Sequence, residues 1–85
     1  MTTEQRLAVQ KHATDIISTV LDEFDADKLA AQETRAAYTV ANALVEWNRE
    51  KISSEQLRCV SAAANDILEA IRRRRVEIEN GATSV

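Results

Sequence analysis

The sequence predicts an all-α fold, a three-helix antiparallel bundle with long helices. Three observations point to it. The 85 residues contain no Pro and one Gly, Gly81, which leaves almost no material for hairpin turns. Aromatic residues are 4% of the chain while Ala and the aliphatics are abundant, a composition that suits helices better than strands. Apolar residues recur at alternating steps of three and four through three long stretches, the period of one helix face.

The first helix is expected over about 3–24. Thr2 or Thr3 can cap it, because a threonine oxygen accepts a hydrogen bond from an otherwise unpaired N–H, and Gln5 stands where a capping box needs it. Its apolar stripe, Val9, Ala13, Ile16, Ile17, Val20, Leu21 and Phe24, covers a single face about 140° wide, as in a helix packed from one side. The acid-rich run Asp22 to Asp27 ends the pattern, since Asp competes for backbone hydrogen bonds and favours a cap. Asp25 or Asp27 then starts the next helix.

The second helix, about 27–50, is expected to be the organising element. Its apolar side chains spread over roughly 240° of the helical wheel, far wider than a one-sided stripe. They sort into two seams. Ala26, Ala30, Glu33, Ala37, Val40, Leu44 and Trp47 make the first, and Ala31, Thr34, Tyr38, Ala41, Val45 and Asn48 the second. Ser53 followed by Gln56 is a second capping-box pattern, with Ile52 as its apolar staple. The tight connection makes the second and third helices antiparallel neighbours.

The third helix is expected over about 54–79, with Leu57, Val60, Ala64, Ile67, Ile71 and Ile78 on its stripe and Gly81 as the left-handed residue that stops it. One domain over 1–81 and a flexible tail over 82–85 complete the reading. So short a chain buries only about 60–65% of the surface it exposes when unfolded, so its stability is expected to be modest or shared with a partner.

The formal charge of −3 argues against general affinity for nucleic acid or anionic membrane, which need a positive docking face. The single cysteine, Cys59, excludes an internal disulfide and fits a reducing compartment. With no signal-peptide pattern at the start and no long apolar run, a cytoplasmic location is expected. No phosphate loop, catalytic triad or paired-carboxylate motif appears, so neither an enzyme nor a cofactor is expected. His12 lacks partners for a metal or a general-base role, and Cys59 reads as a small packed hydrophobe. The run Asp22 to Asp27 lacks the glycine and terminal glutamate of a calcium loop.

Two features bear on function. Arg72, Arg73, Arg74 and Arg75 form a run that could bind phosphate or carboxylate through guanidinium forks. The same run should lie beside the acidic 22–27 turn and within reach of Glu69, Glu77 and Glu79, so much of its charge is expected to be compensated internally. Arg74 and Arg75 fall on the apolar arc of their helix and Arg72 and Arg73 outside it, so a partly buried ion pair of Glu33 with Arg74 or Arg75 is predicted, and losing one partner is expected to cost roughly 3–5 kcal/mol. The second feature is the stripe Ala31, Thr34, Tyr38, Ala41 and Val45, small residues around one large amphipathic anchor. Either the first and third helices wrap round to cover it or a second chain does, and a two-fold homodimer is the commonest solution. The function expected is a non-enzymatic interaction module, an accessory, regulatory or inhibitor protein acting by stoichiometric contact with a target protein. In it Arg72 and Arg73 would form an outward electrostatic rim. Binding of nucleic acid or nucleotide phosphate by Arg72–Arg75 is the alternative, opposed by the acidic balance and the absence of stacking aromatics near the run.

Overall fold

The structure, a computed structural model, describes the backbone of residues 1–83 and the side chains of residues 1–81. Three helices follow one another, α1 (Thr3–Leu21), α2 (Ala26–Asn48) and α3 (Ser54–Thr83), with no strand among the described residues. The fold is an all-α three-helix bundle.

Each helix begins at a side-chain cap that satisfies an orphan backbone donor. The Thr2 hydroxyl accepts from the Gln5 N–H at 3.1 Å and the Gln5 Oε1 accepts from the Thr2 N–H at 2.9 Å, a complete capping box. The Asp25 carboxylate accepts from the Asp27 N–H at 2.9 Å, and the Ser53 hydroxyl from the Gln56 N–H at 3.1 Å.

Three helix ends differ from expectation. α1 stops at Leu21 instead of reaching Phe24, because the acidic turn supplies its own backbone partners. The Asp22 N–H turns back to the Thr19 carbonyl at 3.3 Å and the Glu23 N–H to the Val20 carbonyl at 3.1 Å, while the Glu23 carboxylate takes the Asp25 N–H at 3.1 Å. Phe24 is left outside the helix with 77% of its surface exposed. α2 ends at Asn48 in a Schellman motif: the Glu50 N–H bonds the Trp47 carbonyl at 3.0 Å and the Lys51 N–H the Glu46 carbonyl at 2.9 Å. Glu50 takes the left-handed position with φ at 60°, where glycine is the usual occupant.

Gly81, expected to play that role for α3, has ordinary helical backbone, and the helix runs through it to Thr83. Of the expected tail over 82–85, Ala82 and Thr83 therefore continue α3, and Ser84 and Val85 lie outside the described residues.

The hub is α3, not α2. α3 packs along both other helices, whereas α1 and α2 scarcely meet. The chain measures 52 × 23 × 14 Å along its principal axes, too flat for a closed triangular bundle. Its core is concentrated where the α1–α2 turn holds the helices together: Val20, Leu29 and Ile71, one from each helix, are fully buried, and Ala13, Ala36 and Ile67 join them. On α2 the inward line is Leu29, Ala36 and Ala43, a heptad series between the two expected seams. Ala26, Ala30, Ala37 and Leu44 of the first expected seam are exposed, and Glu33 and Val40 are half-buried. At the other end Trp47 donates its indole N–H to the Ser54 hydroxyl at 3.1 Å, joining the close of α2 to the start of α3.

Candidate functional site

The apolar surface of α2 that α3 does not cover is the first candidate. At 100° per residue Tyr38 stands about 160° round the helix from Ala36, so its stripe faces away from α3. Ala31, Thr34, Tyr38, Ala41 and Val45 are all exposed, and neither α1 nor α3 wraps round to them. Tyr38 has 65% of its surface open and Val45 46%. The Thr34 hydroxyl is satisfied by the Ala30 carbonyl at 3.1 Å, which leaves its methyl as the contact it offers a neighbour. The patch has an aromatic anchor among small side chains, and the Tyr38 hydroxyl is left to bond a partner or water at its edge.

The splay of α1 from α2 opens a second apolar surface on the bundle. A trough of about 720 Å³ runs over α3, with Val60, Ala63 and Ile67 in its floor and Val9, Ile16 and Thr39 in its walls. Its lining contains two ionisable groups, His12 and Arg35. The Gln32 side chain, also in the wall, holds its Oε1 buried with no hydrogen-bond partner among the described residues. Sequence reasoning missed this trough, because it depends on the angle between helices and not on any one helix's pattern. A hollow of about 760 Å³ between α1 and α3 is lined by Ala13, Ile17, Cys59 and Ala63 together with Arg58 and Asp66, and Arg6 pairs with Glu55 at its side.

The four arginines separate by direction. Arg74 is the most enclosed: its Nε–H donates to the Glu23 carbonyl at 2.7 Å, its Nη1 reaches Glu77 at 3.0 Å, and its guanidinium lies 4.5 Å from the centroid of the Phe24 ring. Arg75 Nη1 lies 3.1 Å from Glu33 Oε2, a pair with 42% and 37% of the two side chains exposed. Arg73 meets Glu69 at 2.9 Å on the open face of the helix. Arg72 is exposed and has no ion pair among the described residues.

The acidic turn was expected to neutralise this run, but it meets the run through the Glu23 carbonyl and the Phe24 ring, and among the described residues none of its carboxylates pairs with an arginine. Carboxylates of Glu33, Glu69 and Glu77 reach the run, while those of Glu23 and Asp25 are bonded to the backbone of the turn itself. Arg72 and Arg73 are left as the outward-facing cations, because an exposed pair such as Arg73 with Glu69 is worth only a few tenths of a kcal/mol.

Among the described residues no three His, Cys, Asp or Glu side chains converge as a metal site would require, and no helix is long and apolar enough to cross a membrane. Comparison of the chain with protein-family models, curated proteins and solved structures finds no match.

Proposed function

We propose that the protein is a non-enzymatic interaction module that works by stoichiometric binding to a target protein and is assembled as a homodimer through the outer face of α2. The observation that carries this reading is the uncovered stripe centred on Tyr38, apolar on the side of α2 opposite α3. An exposed tyrosine ringed by Ala31, Thr34, Ala41 and Val45 has the make-up of an interface centre, and such patches on monomers mark association sites. Arg72 and Arg73 lie on the open side of α3, where they act on the rate of encounter with an acidic partner more than on the lifetime of the complex.

Light scattering of the wild type beside Tyr38→Asp tests the reading. The wild type is expected at twice the chain mass of 9.5 kDa and the variant at one chain mass. Helical circular dichroism should be unchanged, since Tyr38 contributes nothing to the buried core. A monomer in both samples would remove the dimer.

A further inference from the structure

We infer that the two copies meet along α2 in antiparallel register, with the two-fold axis at Tyr38 and Asp27 of each copy opposite Arg49 of the partner subunit. The inference rests on the homodimer proposed above and adds the direction and register of its pairing.

The outer face of α2 is arranged symmetrically about Tyr38. Ala31 lies seven residues before it and Val45 seven after; Asp27 lies eleven before and Arg49 eleven after. Steps of seven and eleven bring a helix back to within about 20° of its starting direction. All five side chains therefore share one face, and the Arg49 N–H still bonds the Val45 carbonyl at 3.0 Å, so the arginine stays on the helical path. Reversing one copy about Tyr38 lays Ala31 against Val45 of the partner subunit and puts the acid at one end beside the base at the other, twice over. A parallel pairing would set acid against acid and base against base.

Neither charge is otherwise engaged. Among the described residues the Asp27 carboxylate and the Arg49 guanidinium take part in no ion pair or hydrogen bond, although most arginines of α3 are committed. Asp27 lies in the first turn of α2 and Arg49 at its C-cap, so antiparallel copies also bring opposite ends of the two helix dipoles together. Small residues at 31, 34 and 41 leave room for the two tyrosine rings at the axis. Two ion pairs about 33 Å apart, as 1.5 Å per residue requires, would fix register along a stripe that is otherwise tolerant of sliding.

The test uses two full-length single variants, Asp27→Arg and Arg49→Asp, each followed by sedimentation equilibrium alone and in equimolar mixture. Alone, each sets like charges together twice and should dimerise at least about tenfold more weakly than the wild type. Mixed, the two chains make both pairs again, and affinity should return to within about threefold of the wild type. Recovery without any further substitution separates the pairing from damage to the fold of either variant. Single variants that dimerise as tightly as the wild type would overturn the register and leave the dimer standing, and a mixture that fails to recover would overturn it too. A wild type that stays monomeric would overturn both.

Discussion

Arg74 has 13% of its side chain exposed, holds the Glu23 carbonyl through its Nε–H, and covers one face of Phe24. It closes the end of α1 from another helix, a charge-assisted bond to a carbonyl with a cation–π contact beside it. Removing it leaves that carbonyl and the ring to water. Arg74→Ala should cost about 2–3 kcal/mol, the bond supplying most of it and the ring contact the rest. The Glu33 and Arg75 pair is a different case. A sealed pair would make removal of one partner cost roughly 3–5 kcal/mol, but that figure belongs to charges cut off from solvent. With 37% and 42% of the side chains open, the pair behaves as a surface bridge, and Glu33→Gln should cost about 0.5–1 kcal/mol. Urea unfolding of the two variants side by side checks the ranking, and equal losses would contradict it. The sequence could indicate that one of these two arginines meets Glu33, because helix periodicity puts both on the apolar arc. It could not indicate that the other turns to a main-chain oxygen, since a backbone carbonyl has no signature in the residue pattern.

The starts of the helices were legible because each cap is a local arrangement: Thr2 with Gln5, Asp25 before Asp27, and Ser53 with Gln56 form their bonds within a few residues. The ends were less so. Phe24 fits the α1 stripe by period and is excluded by the hydrogen bonding of the acids around it, a competition that periodicity does not weigh. The choice of hub failed for a further reason. A wide apolar arc records how much of a helix is greasy, not how many helices lie against it, and much of the arc on α2 is alanine, which loses little when left in water. The inward line of α2 places Ala36 and Ala43 where close approach to α3 matters, with Leu29 the one large member. The outer stripe keeps its spacing whatever covers it, since Tyr38 and Val45 recur at seven, and all five of its residues are exposed. Gly81 gives the test at this scale. In a left-handed cap a Cβ would be strained, but in the helix seen here a Cβ on Gly81 meets nothing within 4 Å. Gly81→Ala should raise helical ellipticity and stabilise the end of α3 by up to about 0.5–1 kcal/mol, from the lower entropy of alanine in the unfolded chain. A loss of helicity would restore the glycine to a stop.

The Cα radius of gyration is 14.8 Å, against about 12 Å for a compact domain of this length. The excess comes from α3, whose 30 residues extend about 45 Å, and from α1 and α2 both lying along it with almost no contact between them. At the end closed by the 22–25 turn, the three helices bury Val20, Leu29 and Ile71 against one another. Toward the other end the buried residues become alanines, Leu44 and Trp47 lie half open, and the trough separates the walls. Local opening free energy follows the apolar surface that must be exposed, so the gradient of burial should appear as a gradient of amide protection. Amides near Val20, Leu29, Ile67 and Ile71 should exchange only on global unfolding, and those near Leu7 to Val9 and Leu44 to Trp47 through smaller openings that leave the closed end intact. A dimer through α2 alters this pattern in one place. It covers Tyr38, Ala41 and Val45 on the outer side of α2 without touching α1, so raising protein concentration should slow exchange in α2 from Tyr38 to Val45 while leaving Leu7 to Val9 unchanged. Hydrogen exchange at two concentrations tens-fold apart measures this directly. Slowing in α1 and α2 together would place the second copy in the trough instead, because that surface is walled by both helices.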